Sequence, residues 1–266
     1  MRYRHMLAAA AAVALGAGHA PAQSIAQRVS GAGDGLIQLR FASRPGVCGD
    51  GRGMIAGGDR MMLGDGGWSD GSGGWRRRCQ PGPVRVVLKK TNGAIERVSS
   101  FIGGNDSSAG VHDLGTVSAP EAATYLLALA RDAAHTVGNG AVVGAILADS
   151  AAPWPALAEV ARDAHSHETR QDAAFWLGQA AAARIKGTTL FGDRGDETPS
   201  DDEEVRGEAI FALSQQPRDE SVPALISVAR TNRDPMLRGK ALFWLGQSGD
   251  PRAIDLFSQI LAGAQR

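Results

Sequence analysis

The chain has 266 residues, 35 of them glycine, and its 28 basic and 28 acidic residues cancel to a formal charge of zero. A neutral chain has no long-range field to attract polyanions, which argues against nucleic acid as a partner. The length admits one large domain or two small ones, and the glycines favour two: 21 of them fall between Gly31 and Gly115, whereas the stretch after Pro120 is rich in Ala and Leu.

In residues 1–22, Arg2 and Arg4 precede an apolar run from Met6 to Ala17, and small residues follow, with Ala20 and Ala22 in an A-x-A arrangement. This is the pattern of a signal peptide, and the run is shorter than the ~20 residues that span a bilayer as a helix. The mature chain is expected to begin at Gln23, exported to the periplasm or secreted, and not to be an integral membrane protein. Without Arg2 and Arg4 it carries 26 basic against 28 acidic residues. Thiols outside the cytosol tend to pair, so Cys48 and Cys79, the only cysteines, are expected to form one disulfide.

Residues 23–118 read as a small glycine-rich β domain. LIQLRF (36–41), VRVVLKK (84–90) and AIERVSSFI (94–102) alternate with the two-residue period of half-buried antiparallel strands. Ile37, Leu39 and Phe41 share one face, as do Val84, Val86 and Leu88. Asn92-Gly93 supplies the positive backbone dihedrals of a tight hairpin between the second and third strands. The stretch from Arg44 to Pro83 has almost no apolar pattern and is expected to be a long loop clamped by the disulfide. It carries Trp68 and Trp75 around a glycine-rich turn, followed by Arg76, Arg77 and Arg78. Trp beside Arg is a common recognition pairing, suited to carboxylates and phosphates; the alternative is that the rings cover the disulfide and the arginines are solvated.

Residues 119–266 read as helix after helix: 120–133, 139–149, 154–164, 168–185, 202–215, 221–230, 235–247 and 251–262. Ser118 with Glu121 forms a capping box, and Asp234-Pro235 and Asp250-Pro251 each place an N-cap acceptor before a first-turn proline. Three of these helices carry one decapeptide: RQDAAFWLGQ from Arg170, RGEAIFALSQ from Arg206 and RGKALFWLGQ from Arg238. A self-similar period of this size marks a helical solenoid. Ala173, Ala209 and Ala241, with Gly178, Ser214 and Gly246, are expected to be small because neighbouring helices approach there. Phe175, Trp176, Phe243 and Trp244 are expected to pack between helices. An acidic insertion at 184–201 replaces most of one first helix. The carboxylates from Asp201 to Glu204 suit a helix start, and those of the acidic loop lack the alternation of a calcium loop.

These helices resemble HEAT repeats, of the kind grouped with phycobilin-lyase-like HEAT proteins, over Ala119 to about Ala262. The resemblance implies an α-solenoid of about four helix pairs. It also implies an Asp–Arg ladder, fitted by Asp202 with Arg206 and Asp234 with Arg238 and broken at Ser166 before Arg170. One branch of the grouping is a di-iron hydroxylase with paired His-Glu ligands. The matching positions here are Gln171 and Asp172, Gly207 and Glu208, and Gly239 and Lys240, so that ligand set is missing. No residue set for bilin attachment transfers either.

The fold class is therefore α+β and multidomain, a disulfide-clamped β domain followed by an α-solenoid. No nucleophile elbow, HExxH motif, phosphate loop or dinucleotide fingerprint is present, and no catalytic residue, metal site or cofactor is assigned. The function expected is an exported scaffold that binds a partner protein or peptide through the solenoid. Candidate partner-binding residues are Trp68, Trp75, Arg76, Arg77, Arg78, Arg170, Arg206 and Arg238. Two alternatives stand beside it: a metal-dependent enzyme or assembly factor using the His165 to Glu168 turn, and a binder of an anionic cell-envelope ligand through the Trp/Arg loop.

Overall fold

The computed structural model describes residues 23–52, 54–57, 60–63, 68–69, 79–104, 110–149, 151–191 and 201–263. The expected signal segment lies outside them. The β part contains helix α1 (Ile25–Gly31) and strands β1 (Gly35–Phe41), β2 (Val47–Gly49), β3 (Met54–Gly57), β4 (Arg60–Leu63), β5 (Trp68–Ser69), β6 (Val84–Thr91), β7 (Ala94–Ile102) and β8 (Val111–Thr116). The helical part follows as α2 (Ala119–Asp132), α3 (His135–Leu147), α4 (Trp154–Asp163), α5 (His167–Lys186), α6 (Asp201–Ser214), α7 (Arg218–Thr231), α8 (Pro235–Ser248) and α9 (Pro251–Ala262). The fold class is the expected one: a small disulfide-bonded β region, then a run of helices.

The first sheet has the order β7-β6-β1-β8. Alternation in β1 and β6 does what its period implies: Ile37 faces Leu88, Leu39 faces Val86 and Phe41 faces Val84, all six fully buried. Asn92 and Gly93 both have positive φ, 51° and 77°, and their backbone amides donate to the Asp34 carboxylate, which locks the β6–β7 hairpin. β8 was not anticipated, and it pairs with β1 in parallel, so the sheet is mixed. Its sequence, VHDLGT, buries only Leu114 and offers no two-residue pattern to read.

The expected long loop is also corrected where it is described. β2 to β5 form a second, antiparallel four-stranded sheet in simple meander order. Strands of two to four residues rich in Gly and Met are too short to show a period. Cys48 on β2 is bonded to Cys79, as expected, across 31 residues. Beside the bridge Gly49 and Gln80 exchange two backbone hydrogen bonds of 2.9 and 2.8 Å, which ties this sheet to the start of β6.

Helix α1, likewise unforeseen, starts with a Ser24–Gln27 capping box. Its C-terminal carbonyls are satisfied by one buried cation: Lys90 Nζ donates to the carbonyls of Val29, Ser30 and Ala32 at 3.1, 3.0 and 2.7 Å. Lys90 occupies the same face of β6 as Val86 and Leu88 and is buried there as an internal cap.

The helical part sits directly on the first sheet through α3, which is buried from Gly140 to Leu147 without a break. Its glycines stand where three neighbours press on it. A side chain at Gly138 would overlap Thr169 of α5, one at Gly140 would overlap the Val98 carbonyl of β7, and one at Gly144 would reach Leu126 of α2 at 2.9 Å. The buried side chains of sheet and helices form one continuous apolar core. Arg44, just after β1, reinforces the junction by donating to the carbonyls of Ile146 and Ala151, both at 2.7 Å. No helix among the described residues is long and apolar enough to cross a membrane.

Candidate protein-binding surface

The three decapeptides lie on α5, α6 and α8, and their packing explains the sequence columns differently from a uniform stack. α5 makes its most extensive contact with α8, and the two run in opposite directions: Ala174 and Gly178 lie against Gly246, while Lys186 lies against Gly239. Corresponding residues therefore meet one another across the crossing. Gly178 faces Gly246 backbone to backbone, and Phe175 meets Phe243 edge to face with ring centroids 6.2 Å apart. α6 packs on α8 in the same direction, Gly207 against Lys240 and Phe211 against Trp244 at 4.9 Å. A chain of rings results, from Phe191 through Trp176, Phe175, Phe243 and Trp244 to Phe211, with no gap above 6.2 Å. The expected packing role of these aromatics stands.

The expectation for Ala209 is overturned. Ala173 and Ala241 are fully buried, but Ala209 is exposed on α6. The reason is the helix that precedes each one. α5 packs on α3 and α4, and α8 follows and packs on α7, and the residue before each decapeptide, Thr169 (against Gly138 of α3) or Leu237, is buried. No helix is described between Lys186 and Asp201 to do the same for α6. Its corresponding residue, Val205, is 65 % exposed, and Phe211 is 47 % exposed. Glu204, Arg206, Glu208, Ala209 and Ala212 are exposed with them. An apolar helix face with acidic flanks is thus presented at the outer side of α6, and exposed large apolar groups are scarce elsewhere among the described residues.

The arginines that open the decapeptides are placed by local bonds. Arg170 Nη1 donates to the carbonyls of Ala164 and His165 at 2.6 and 3.3 Å. Arg238 Nη1 donates to the carbonyls of Asn232 and Arg233 at 2.9 and 3.4 Å. The repeated Arg therefore caps the end of the preceding helix, where orphan carbonyls collect. Asp234 caps the amide of Met236 at 2.7 Å and makes no ion pair with Arg238, so this rung of the expected ladder is a pair of caps instead. Arg206 is exposed on α6, the side where Val205 lies. Trp68 lies on β5, whereas Trp75, Arg76, Arg77 and Arg78 lie outside the described residues.

At the His165 to Glu168 turn, Ser166 donates to the Glu168 carboxylate at 2.6 Å and caps the amide of Thr169. The Ser166 hydrogen bond holds the Glu168 pKa below its ordinary value. Nearby, Asp172 accepts a 2.8 Å hydrogen bond from Asn139 and lies 3.7 Å from His135 Nδ1. Burial pushes the Asp172 carboxyl up, and the Asn139 hydrogen bond opposes that. Among the described residues no three His, Cys, Asp or Glu side chains converge as metal ligands.

Residues 196–266 match a family model described as HEAT repeats. The similarity to HEAT repeats thus covers residues 196–266. No curated protein and no solved structure matches the chain. The matched HEAT region contains α6 to α9, so the uncovered face of α6 belongs to it. The exposed residues that matter here, Val205 and Phe211, did not stand out in the sequence because they fill apolar columns. The signal available was the acidic insertion that stands in the sequence ahead of that one decapeptide, where the other two have a first helix.

Proposed function

We propose that the protein is an exported scaffold whose HEAT region holds a partner protein at the uncovered face of α6. HEAT repeats commonly mediate protein–protein interaction, and one observation carries the assignment to this face: positions buried by a neighbouring helix in α5 and α8 are open in α6. The partner supplies a helix to the place that α4 and α7 occupy in their own pairs, with apolar residues over Val205, Ala209 and Ala212 and basic residues beside Glu204 and Glu208. Arg206 contributes a polar contact at the rim. Export is supported by the signal-like residues 1–22 and by the Cys48–Cys79 disulfide, which persists in oxidising compartments.

A photo-crosslinking residue at position 209, in cells making the full chain, tests the surface. One reproducible adduct in the exported fraction, lost when Val205→Asp is added, is the expected result. An adduct that survives Val205→Asp, or none at all, refutes the assignment. The mass of the purified chain tests export: a species beginning at Gln23 is expected, and one that retains Met1 refutes it.

A further inference from the structure

Among the described elements α6 packs mainly on α7 and α8, so it stands at a margin of the helix stack. It is not built as a margin. The terminal repeat of a solenoid carries a polar outer face, because nothing stacks on it. The outer face of α6 instead holds Val205, Ala209 and Ala212, all exposed, with half-exposed Phe211 at its edge.

The contact between α6 and α8 shows what such a face accepts. α8 presents the third and seventh residues of its decapeptide, Lys240 and Trp244, and α6 lies on them in parallel through its own second and sixth, Gly207 and Phe211. The third and seventh residues of α6 are Glu208 and Ala212, and both are exposed. Beside Lys240 and Trp244 on α8 stand Leu237 and Ala241, which are buried in a helix that packs on α7. Their counterparts on α6 are the exposed Val205 and Ala209. Two seats therefore lie side by side on α6: one for a first helix, at Val205 and Ala209, and one for a second helix parallel to α6, at Glu208 and Ala212. The matching faces within this chain are already spent, since the sixth residues of α5 and α8, Phe175 and Phe243, meet each other and that of α6 meets Trp244.

We propose that the stack continues into a different protein, and that the partner of α6 is a helical hairpin of the HEAT-like kind and not a lone helix. Its first helix covers Val205 and Ala209. Its second helix runs parallel to α6 and sets a small residue against Glu208 and an aromatic one over Ala212, as α6 sets Gly207 and Phe211 on α8. The Glu208 carboxylate favours a cation beside that small residue. This inference rests on the α6 reading and adds the shape of the partner to it.

Photo-crosslinking residues at positions 208 and 209, in separate full-length chains made in cells, test it when the crosslinked peptides are sequenced by mass spectrometry. Both positions are exposed, and neighbouring residues of a helix point about 100° apart, so each samples one seat. The two chains are expected to label one and the same protein at sites more than ~11 residues apart, three helical turns, with an aromatic residue within a turn of the site labelled from 208. Labelling from both positions within ~7 residues, or from 209 alone, means that one helix covers the face; it overturns the hairpin and leaves the α6 surface standing. Two different labelled proteins, or a second copy of this chain, overturn it as well. No adduct from either position removes the α6 surface and this inference together.

Discussion

The close crossing of α5 and α8 makes a prediction that the geometry sizes. In Gly178→Ala the new methyl would lie 2.9 Å from the Leu242 carbonyl oxygen, 3.0 Å from the Gly246 Cα and 3.3 Å from the Phe257 ring. Carbon atoms rest at about 3.5–4.0 Å, so two helix backbones would have to part by roughly half an ångström or more. Overpacking of this kind costs about 1–3 kcal/mol, against a gain of about 1 kcal/mol from replacing a helical glycine by alanine. Because the 2.9 and 3.0 Å contacts are with backbone atoms, the cost falls in the upper part of that range, about 2–3 kcal/mol. The net expectation is a loss of ~1–2 kcal/mol, or about 2–8 °C in melting temperature for a chain of this size. Gly246→Ala is a built-in comparison, because its methyl would meet its nearest neighbours at 3.3, 3.3 and 3.4 Å, where small shifts relieve the contact. That variant should melt within about 2 °C of the unaltered chain, the two effects nearly cancelling. Gly207→Ala meets only the flexible end of Lys240 and should be neutral or stabilising. Thermal melts followed by circular dichroism at one pH compare all three. A Gly178→Ala protein that melts at or above the unaltered chain would refute the backbone-to-backbone crossing.

Lys90→Met removes three charge-assisted bonds to the end of α1 and should cost about 2–3 kcal/mol in urea unfolding, with faster amide exchange in α1; unchanged exchange there would contradict the cap. Reducing the Cys48–Cys79 bridge frees a loop with a sequence separation of 31 and should lower stability by about 3–4 kcal/mol, read as a shift of the urea midpoint between oxidised and reduced protein. Asp172 tests a pH effect whose sign follows from its raised pKa. Because the folded state holds the proton more tightly than the unfolded chain, this group's contribution to stability grows as pH falls through the folded pKa towards the unfolded value of about 3.9. Asp172→Asn, which keeps an acceptor for Asn139, should abolish that component and raise the melting temperature at neutral pH. A variant with the same pH profile as the unaltered protein would show that burial does not act on this carboxyl.

Local patterns were legible in the chain, and they were the ones carried by covalent order. The two-residue alternation of β1, β6 and β7, the Asn92-Gly93 turn, the caps at Ser118, Asp234 and Asp250 and the apolar spacing of α2 to α9 depend on residues within a few positions of one another. The decapeptide could likewise be read as helix–helix packing from its small and aromatic columns. The sequence alone also justified pairing the only two cysteines, given the expected oxidising compartment.

The partner of each column is a property of the folded chain. Ala173, Ala209 and Ala241 occupy the same position in three nearly identical segments, yet two are buried and one is open, because burial depends on whether another helix arrives and not on the residue itself. Gly178 and Gly246 meet each other because α5 and α8 run in opposite directions, which no periodicity encodes. Lys90 and Arg44 are surface residues by composition and become internal caps only when β6 passes the end of α1 and β1 ends beside α3. Short-range sequence determined the elements, since hydrogen-bond and rotamer preferences act locally. Long-range contact decided which faces were left uncovered, and the candidate surface is one of those.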